Sequence, residues 1–195
     1  MKSIFSTAYA APIGYYKALL KSEVNLLEVH EHFIKQTIRN RCVIASANGT
    51  LVLTIPLSQR KNNMFIKDVC ICYKTDWQRL HIKSLETAYK SSPFFEFYID
   101  ELKKAYQNKP EFLLDWNRII HQQLLQWLKI NTLFELSEEY VKVYENNPDF
   151  RLTDWNEKNA TIYHQVFENK HGFIANLSIF DLLFNCGNQS KYIIS

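Results

Sequence analysis

Asn169-Lys-His-Gly-Phe-Ile-Ala-Asn-Leu-Ser-Ile-Phe-Asp-Leu-Leu-Phe-Asn-Cys-Gly187 is the stretch around which the chain is organised, because its local signals agree with one another. Ser178 followed three residues later by Asp181 reads as a variant capping box, with a hydroxyl for an orphan helix N–H and a carboxylate in the positive first turn. A helix therefore starts at Ile179, runs about two turns and stops at Gly187, which sits at or just past C′. So short a helix is negligible on its own, and Ile179, Phe180, Leu182, Leu183 and Phe184 cover nearly its whole circumference, so it is expected to be buried and held by packing. Asp181 and Asn185 stand one turn apart on its polar seam, where a carboxylate needs a partner.

Working outward, the strongest hairpin signal is Asn48-Gly49 between Arg41-Cys-Val-Ile-Ala-Ser-Ala47 and Thr50-Leu-Val-Leu-Thr-Ile-Pro-Leu57, which predicts a type I′ turn. Pairing Ala47 with Thr50 puts Cys42, Ile44, Leu51, Leu53, Ile55 and Leu57 on the core face and Arg41, Val43, Thr50, Val52 and Thr54 on the other. Ile4 to Tyr9 reads as a strand, broken by Pro12 and Gly14 before a helix that begins at Tyr15. A turn of that kind is either a plain connection or the place where an open α/β sheet presents helix N–H groups to an anion. Asn25 to His30 and Phe65 to Tyr73 read as further strands, with Ser58 to Met64 a polar loop. The middle is helical: Asp76 caps a helix from Trp77 to about Ser91, and Ser92-Pro93 and Lys109-Pro110 open two more, the last running towards Lys129. Their inward stripes are Trp77, Leu80, His81, Leu85 and Ala88; then Tyr98, Ile99, Leu102 and Tyr106; then Phe112, Leu113, Trp116, Ile120, Leu124, Trp127 and Leu128. Thr132 to Leu136 reads as a short returning strand, and 138–160 as polar, Asn-rich and irregular.

These elements predict an α/β fold, a small mixed sheet with a β-hairpin, flanking helices and a helical middle section, with α+β the close alternative. At 195 residues the chain is expected to form one domain, with 76–130 as a helical layer or subdomain. Hydrophobic residues at 47% and charged ones at 22% are ordinary globular usage, and a net charge of +3 with scattered cations gives no nucleic-acid surface. Cys42, Cys70, Cys72 and Cys186 lack metal-ligand spacing, so reduced thiols, no structural zinc and no cofactor are expected. The apolar run after Met1-Lys2 is too short for a secretory segment and no window is long enough to span a membrane, which points to the cytoplasm.

Lys35, Arg39 and Arg41 fall on one face of an extended segment, with Phe33 and Thr37, and such a row either takes a phosphate or carboxylate or is simply solvated. His81 lies on the inward stripe between Trp77 and Leu85, where it is either a satisfied core histidine or a general acid/base. His30 and His32 alternate on a strand, but lack a third ligand for a metal. His171, ahead of the buried helix, would make a base–orienter pair with Asp181 if the two were adjacent. No nucleophile elbow, P-loop or cysteine-nucleophile motif is present.

Asn176 to Gly187, preceded by Tyr163-His-Gln-Val-Phe167 and Lys170-His-Gly-Phe173, resembles the C-terminal signature of the WbqC-like family. Tyr9-Ala-Ala-Pro-Ile-Gly-Tyr15, Phe33-Ile-Lys-Gln-Thr-Ile-Arg-Asn-Arg41 and Asp76-Trp-Gln-Arg-Leu-His81, with Tyr89 and Pro93-Phe-Phe95, follow in that family's order. In 138–160 the chain departs from the longer members. The resemblance implies a part in O-antigen or surface-polysaccharide biosynthesis, as a transferase moving an aminoacyl or acyl group onto a sugar, or as a non-catalytic ligand-binding or accessory protein of the same pathway. It implies Tyr9, Gly14, Tyr15, Lys35, Asn40, Arg41 and Trp77 as binding residues for a small phosphate- or carboxylate-bearing substrate, and His81, His171 and Asp181 as the catalytic set.

Overall fold

The structure, a computed structural model, describes residues 2–58, 63–155 and 160–195. β1 (Lys2–Phe5) and β2 (Val24–Leu27) pair in parallel, so the chain between them must cross over, and α1 (Ile13–Leu20) is that crossover. β5 (Phe134–Leu136) joins the far side of β2, also in parallel, giving the order β1-β2-β5. The irregular segment covers the other edge of β1: Ile4 donates to Pro148 O at 2.9 Å and Phe150 N to Ile4 O at 2.8 Å. An edge paired in this way offers no template for aggregation.

The hairpin β3 (Arg41–Ser46) and β4 (Gly49–Thr54) forms a separate two-stranded sheet, so the expected mixed sheet is divided into a parallel and an antiparallel part. Its register also differs from the expected one. Ser46 pairs with Gly49 and Arg41 with Thr54, two residues away from the Ala47–Thr50 pairing. Asn48 is not at positive φ, whereas Gly49 is, at +108°, so the glycine follows the corner instead of forming half of it. A shift of two keeps the faces, with Cys42, Ile44 and Leu53 buried, but Leu51, expected in the core, is 38% exposed towards the hairpin tip, and Ala45 is buried on the opposite face.

The segment from Phe65 is a 3-10 turn over Ile66–Asp68 with isolated bridges, not a strand. Its buried positions are Ile66, Val69 and Ile71; strict alternation would have put Lys67 on the face of Val69 and Ile71, inside the core. Residues 33–40 are likewise a run of turns, with Gln36 at φ +62° and the Thr37 hydroxyl on Ile34 O, so the cations there do not share one strand face. In α2 (Trp77–Tyr89), Leu80 is 55% exposed and Gln78 takes the inward place, donating to Asn108 O at 2.7 Å. The stripes of α3 (Phe95–Ala105) and α4 (Leu113–Leu128) are buried as expected, except for Phe112, which precedes α4 and is half-buried. Trp116 meets Trp77 and Tyr106 edge-on at 4.9 and 5.1 Å between ring centroids.

After α5 (Glu168–His171), α6 (Ile179–Cys186) is fully buried and packs on β3 and α3, and α7 (Ser190–Ile194) follows. Ser178 accepts from Phe180 N, yet only half of the capping box forms. Ser178 N is taken by Val43 O at 2.7 Å, and Asp181 turns instead to Tyr163 and Gln165. No helix among the described residues is long and apolar enough to cross a membrane.

Candidate functional site: a cationic cleft beside the hairpin

A cleft of about 790 Å³ lies between the turns of 32–36, the start of β3, the end of β4 with its continuation to Leu57, and residues 63–69. Its framework is set by backbone bonds: Phe33 N to Met64 O at 2.8 Å, Ile66 N to Glu31 O at 2.9 Å and Ile55 N to Asn40 O at 2.9 Å. Buried charge fixes the loop from behind. Arg39, 1% exposed, makes a bidentate pair with Glu31, at 2.8 Å from Nε and 2.6 Å from Nη2, and its Nη2 also donates to Arg151 O. Arg151 in turn pairs with Asp149 at 2.5 Å and lies 3.6 Å from the buried Glu28, which accepts from Ser137 Oγ at 2.7 Å. Burial holds Glu31 above the ordinary glutamate range against the pull of the Arg39 guanidinium.

Lys35, Asn40 and Arg41 converge on this cleft. Asn40 donates Nδ2 to Ile55 O at 2.9 Å, which leaves Oδ1 without a protein partner although the residue is only 7% exposed. Arg41 is half-buried, its Nε also unpartnered, and among the described residues neither it nor Lys35 has a carboxylate partner. None of the described residues lining the cleft is Asp or Glu. Two unpaired cations without a compensating anion make it attractive to phosphate or carboxylate. His32 is the cleft's one imidazole among these residues, stacked on Phe65 at 4.8 Å and 12°.

The other expected site residues lie elsewhere. Tyr9, Trp77 and His81 form one buried cluster behind β4, where the Tyr9 hydroxyl meets His81 Nδ1 at 2.9 Å and the Tyr106 hydroxyl, and the indole of Trp77 meets His81 edge-on at 5.1 Å. Burial lowers His81 to a pKa of about 4, while its bond to the backbone of Thr54 pulls upward. It is therefore neutral at pH 7, a satisfied core histidine one peptide away from the cleft that Thr54 lines. Tyr15 is buried, with its hydroxyl on Ser6 O at 3.0 Å, and Gly14 borders a separate hollow of about 330 Å³. His171 Nε2 and Lys170 Nζ both reach Ala47 O at the hairpin tip, at 3.1 and 2.5 Å. His171 thus braces the turn and is not paired with Asp181. No group of three or more His, Cys, Asp and Glu that could hold a metal occurs among the described residues. The Glu28–Arg151 and Glu31–Arg39 pairs were not foreseen from sequence.

Asp181 is wholly buried and accepts from Tyr163 at 2.6 Å and Gln165 at 3.0 Å, but desolvation outweighs these bonds and raises its pKa. The folded chain therefore holds this proton more tightly than the unfolded chain. The resulting stability is complete below the ordinary aspartate range and is lost as pH rises through the raised folded value. Asp181→Asn keeps an acceptor for Tyr163 and Gln165 and is expected to change stability at pH 7 by less than about 1 kcal/mol. It should also flatten the decline with rising pH. Urea unfolding between about pH 4 and pH 8 measures this; an equal decline in both proteins would remove Asp181 as its source.

Neither the curated proteins nor the solved structures contain a match to this chain. A family profile does match, over residues 7–161 of 195, a range that takes in the Tyr9–Tyr15, Phe33–Arg41 and Asp76–His81 stretches and the residues that line the cleft. The chain belongs to the WbqC-like protein family.

Proposed function

We propose that the cleft binds a small phosphate- or carboxylate-bearing molecule, and that through this ligand the protein serves surface-polysaccharide assembly. The observation that carries the reading is Arg41: a half-buried side chain that has no partner among the described residues, beside the orphan amide oxygen of Asn40, in a cleft where none of those residues is a carboxylate. A cation partly withdrawn from water is stabilised by an anionic partner, and here the partner is the ligand's to supply. Family membership supports the pathway. A second reading, transfer of an aminoacyl or acyl group to a sugar, is favoured by His32, which lines the cleft and can take the proton of an attacking sugar hydroxyl as the phosphate-bearing remainder of the donor leaves.

The test is a thermal-shift screen against nucleotide-sugars and acyl carriers. A ligand at about a hundred times its Kd adds about 2.7 kcal/mol, which for a chain of this size raises Tm by roughly 5–10 °C. Arg41→Ala should keep the fold and abolish the shift. An unchanged shift takes Arg41 out of the site. Under the transfer reading, His32→Asn keeps binding and loses turnover; turnover that survives the substitution removes His32.

A further inference from the structure

We propose that the ligand of this cleft is an anionic amphiphile, a phosphate or carboxylate joined directly to an apolar body, an inference that rests on the anion-binding reading above. The backbone pairings separate two kinds of lining. At one end Arg41 pairs with Thr54 and Asn40 is bonded to Ile55 on both its main chain and its side chain. From there the chain runs through Pro56 to Leu57, which bridges to Ile71, while Phe33 is bonded to Met64 across the cleft. Arg41 and Asn40 therefore sit at the hairpin end, Lys35 lies in the turn that follows Phe33, and Phe33, Pro56, Leu57 and Met64 supply the apolar lining.

Those four apolar side chains are only half-buried, so part of their surface is left in water along the cleft. An apolar wall left partly in water is unfavourable until something covers it. The volume agrees, because about 790 Å³ is the size of a pocket that encloses a drug-sized molecule, far more than a lone phosphate fills. Met64 adds an adaptable thioether, suited to an aliphatic chain without a rigid outline. An anion held at Arg41 would have its attached body directed along this wall.

Inorganic phosphate, octanoate, octyl phosphate below its micellar concentration and adenosine monophosphate are compared by isothermal titration on the full chain. Octyl phosphate or octanoate is expected to bind about tenfold or more tightly than inorganic phosphate, because methylenes leave water, and the two show which anion the cleft prefers. Adenosine monophosphate, with its polar ribose, should gain little. Met64→Gln should weaken the octyl ligand about threefold or more and leave inorganic phosphate unchanged, with circular dichroism confirming the fold. Arg41→Ala should remove both. Arg41-dependent phosphate binding without gain from an octyl chain, or with tighter binding of adenosine monophosphate, overturns the amphiphile and leaves the anion site intact. Octyl binding that ignores both substitutions is general detergent action and also overturns it. If none of the anions binds, both readings fall.

Discussion

Glu31→Ala is expected to lower the unfolding free energy by about 3–5 kcal/mol, because it leaves the Arg39 guanidinium uncompensated at 1% exposure. In a chain of this size that is a fall of roughly 6–20 °C in Tm. Glu31→Gln should cost less, since an amide oxygen still accepts from Nε. The double replacement of Glu31 and Arg39 by leucine should recover much of the loss, because burial already holds Glu31 above its ordinary range and so the pair does not fully offset its own desolvation. Urea unfolding of the three variants decides the matter. A loss of less than about 1 kcal/mol in Glu31→Ala would mean that water reaches the guanidinium and that the loop framing the cleft is not held by this pair.

That pair also marks where sequence reasoning stops. Lys35, Asn40 and Arg41 line one cleft, but through turns and not along the extended face on which the spacing put Lys35, Arg39 and Arg41. Arg39 has the same residue type and nearly the same spacing, yet it faces inward, because Glu31 is available eight residues earlier and Arg151 O far along the chain. Nothing local distinguishes a cation that meets a ligand from one that meets a buried carboxylate. His81 was legible as inward-facing, and its fate turned on long-range partners, the hydroxyl of Tyr9 and the backbone of Thr54. The division into two sheets was hidden for the same reason, since the parallel pairing of β2 with β5 joins residues more than a hundred apart. The C-terminal helix was legible almost to the residue because its cap, its apolar circumference and its terminal glycine are all local.

Gly187 provides the second large effect. It ends α6 at φ +53° and ψ −129°, a mirror-β conformation open to glycine that costs a residue with a Cβ about 1–3 kcal/mol. An added Cβ would also overlap the ring of Phe94, with Cγ at 2.6 Å and Cε1 at 2.7 Å. The overlap reaches Cγ, so the ring must move as a whole, on a backbone that Phe94 N ties to Phe184 O at 3.0 Å, and overpacking of this kind costs about 1–3 kcal/mol. Gly187→Ala is therefore expected to destabilise by roughly 2–6 kcal/mol, although the site lies on a helix end and replaces the smallest residue with the next smallest. A double-mutant cycle separates the two causes. Phe94→Leu in the Gly187→Ala background should recover the steric part while the backbone part remains, giving a coupling of roughly 1 kcal/mol or more. A purely additive cycle would assign the whole effect to the backbone; a loss below about 1 kcal/mol in Gly187→Ala itself would show that the loop from Ser92 to Phe94 gives way, and that α6 is less tightly enclosed than its burial implies.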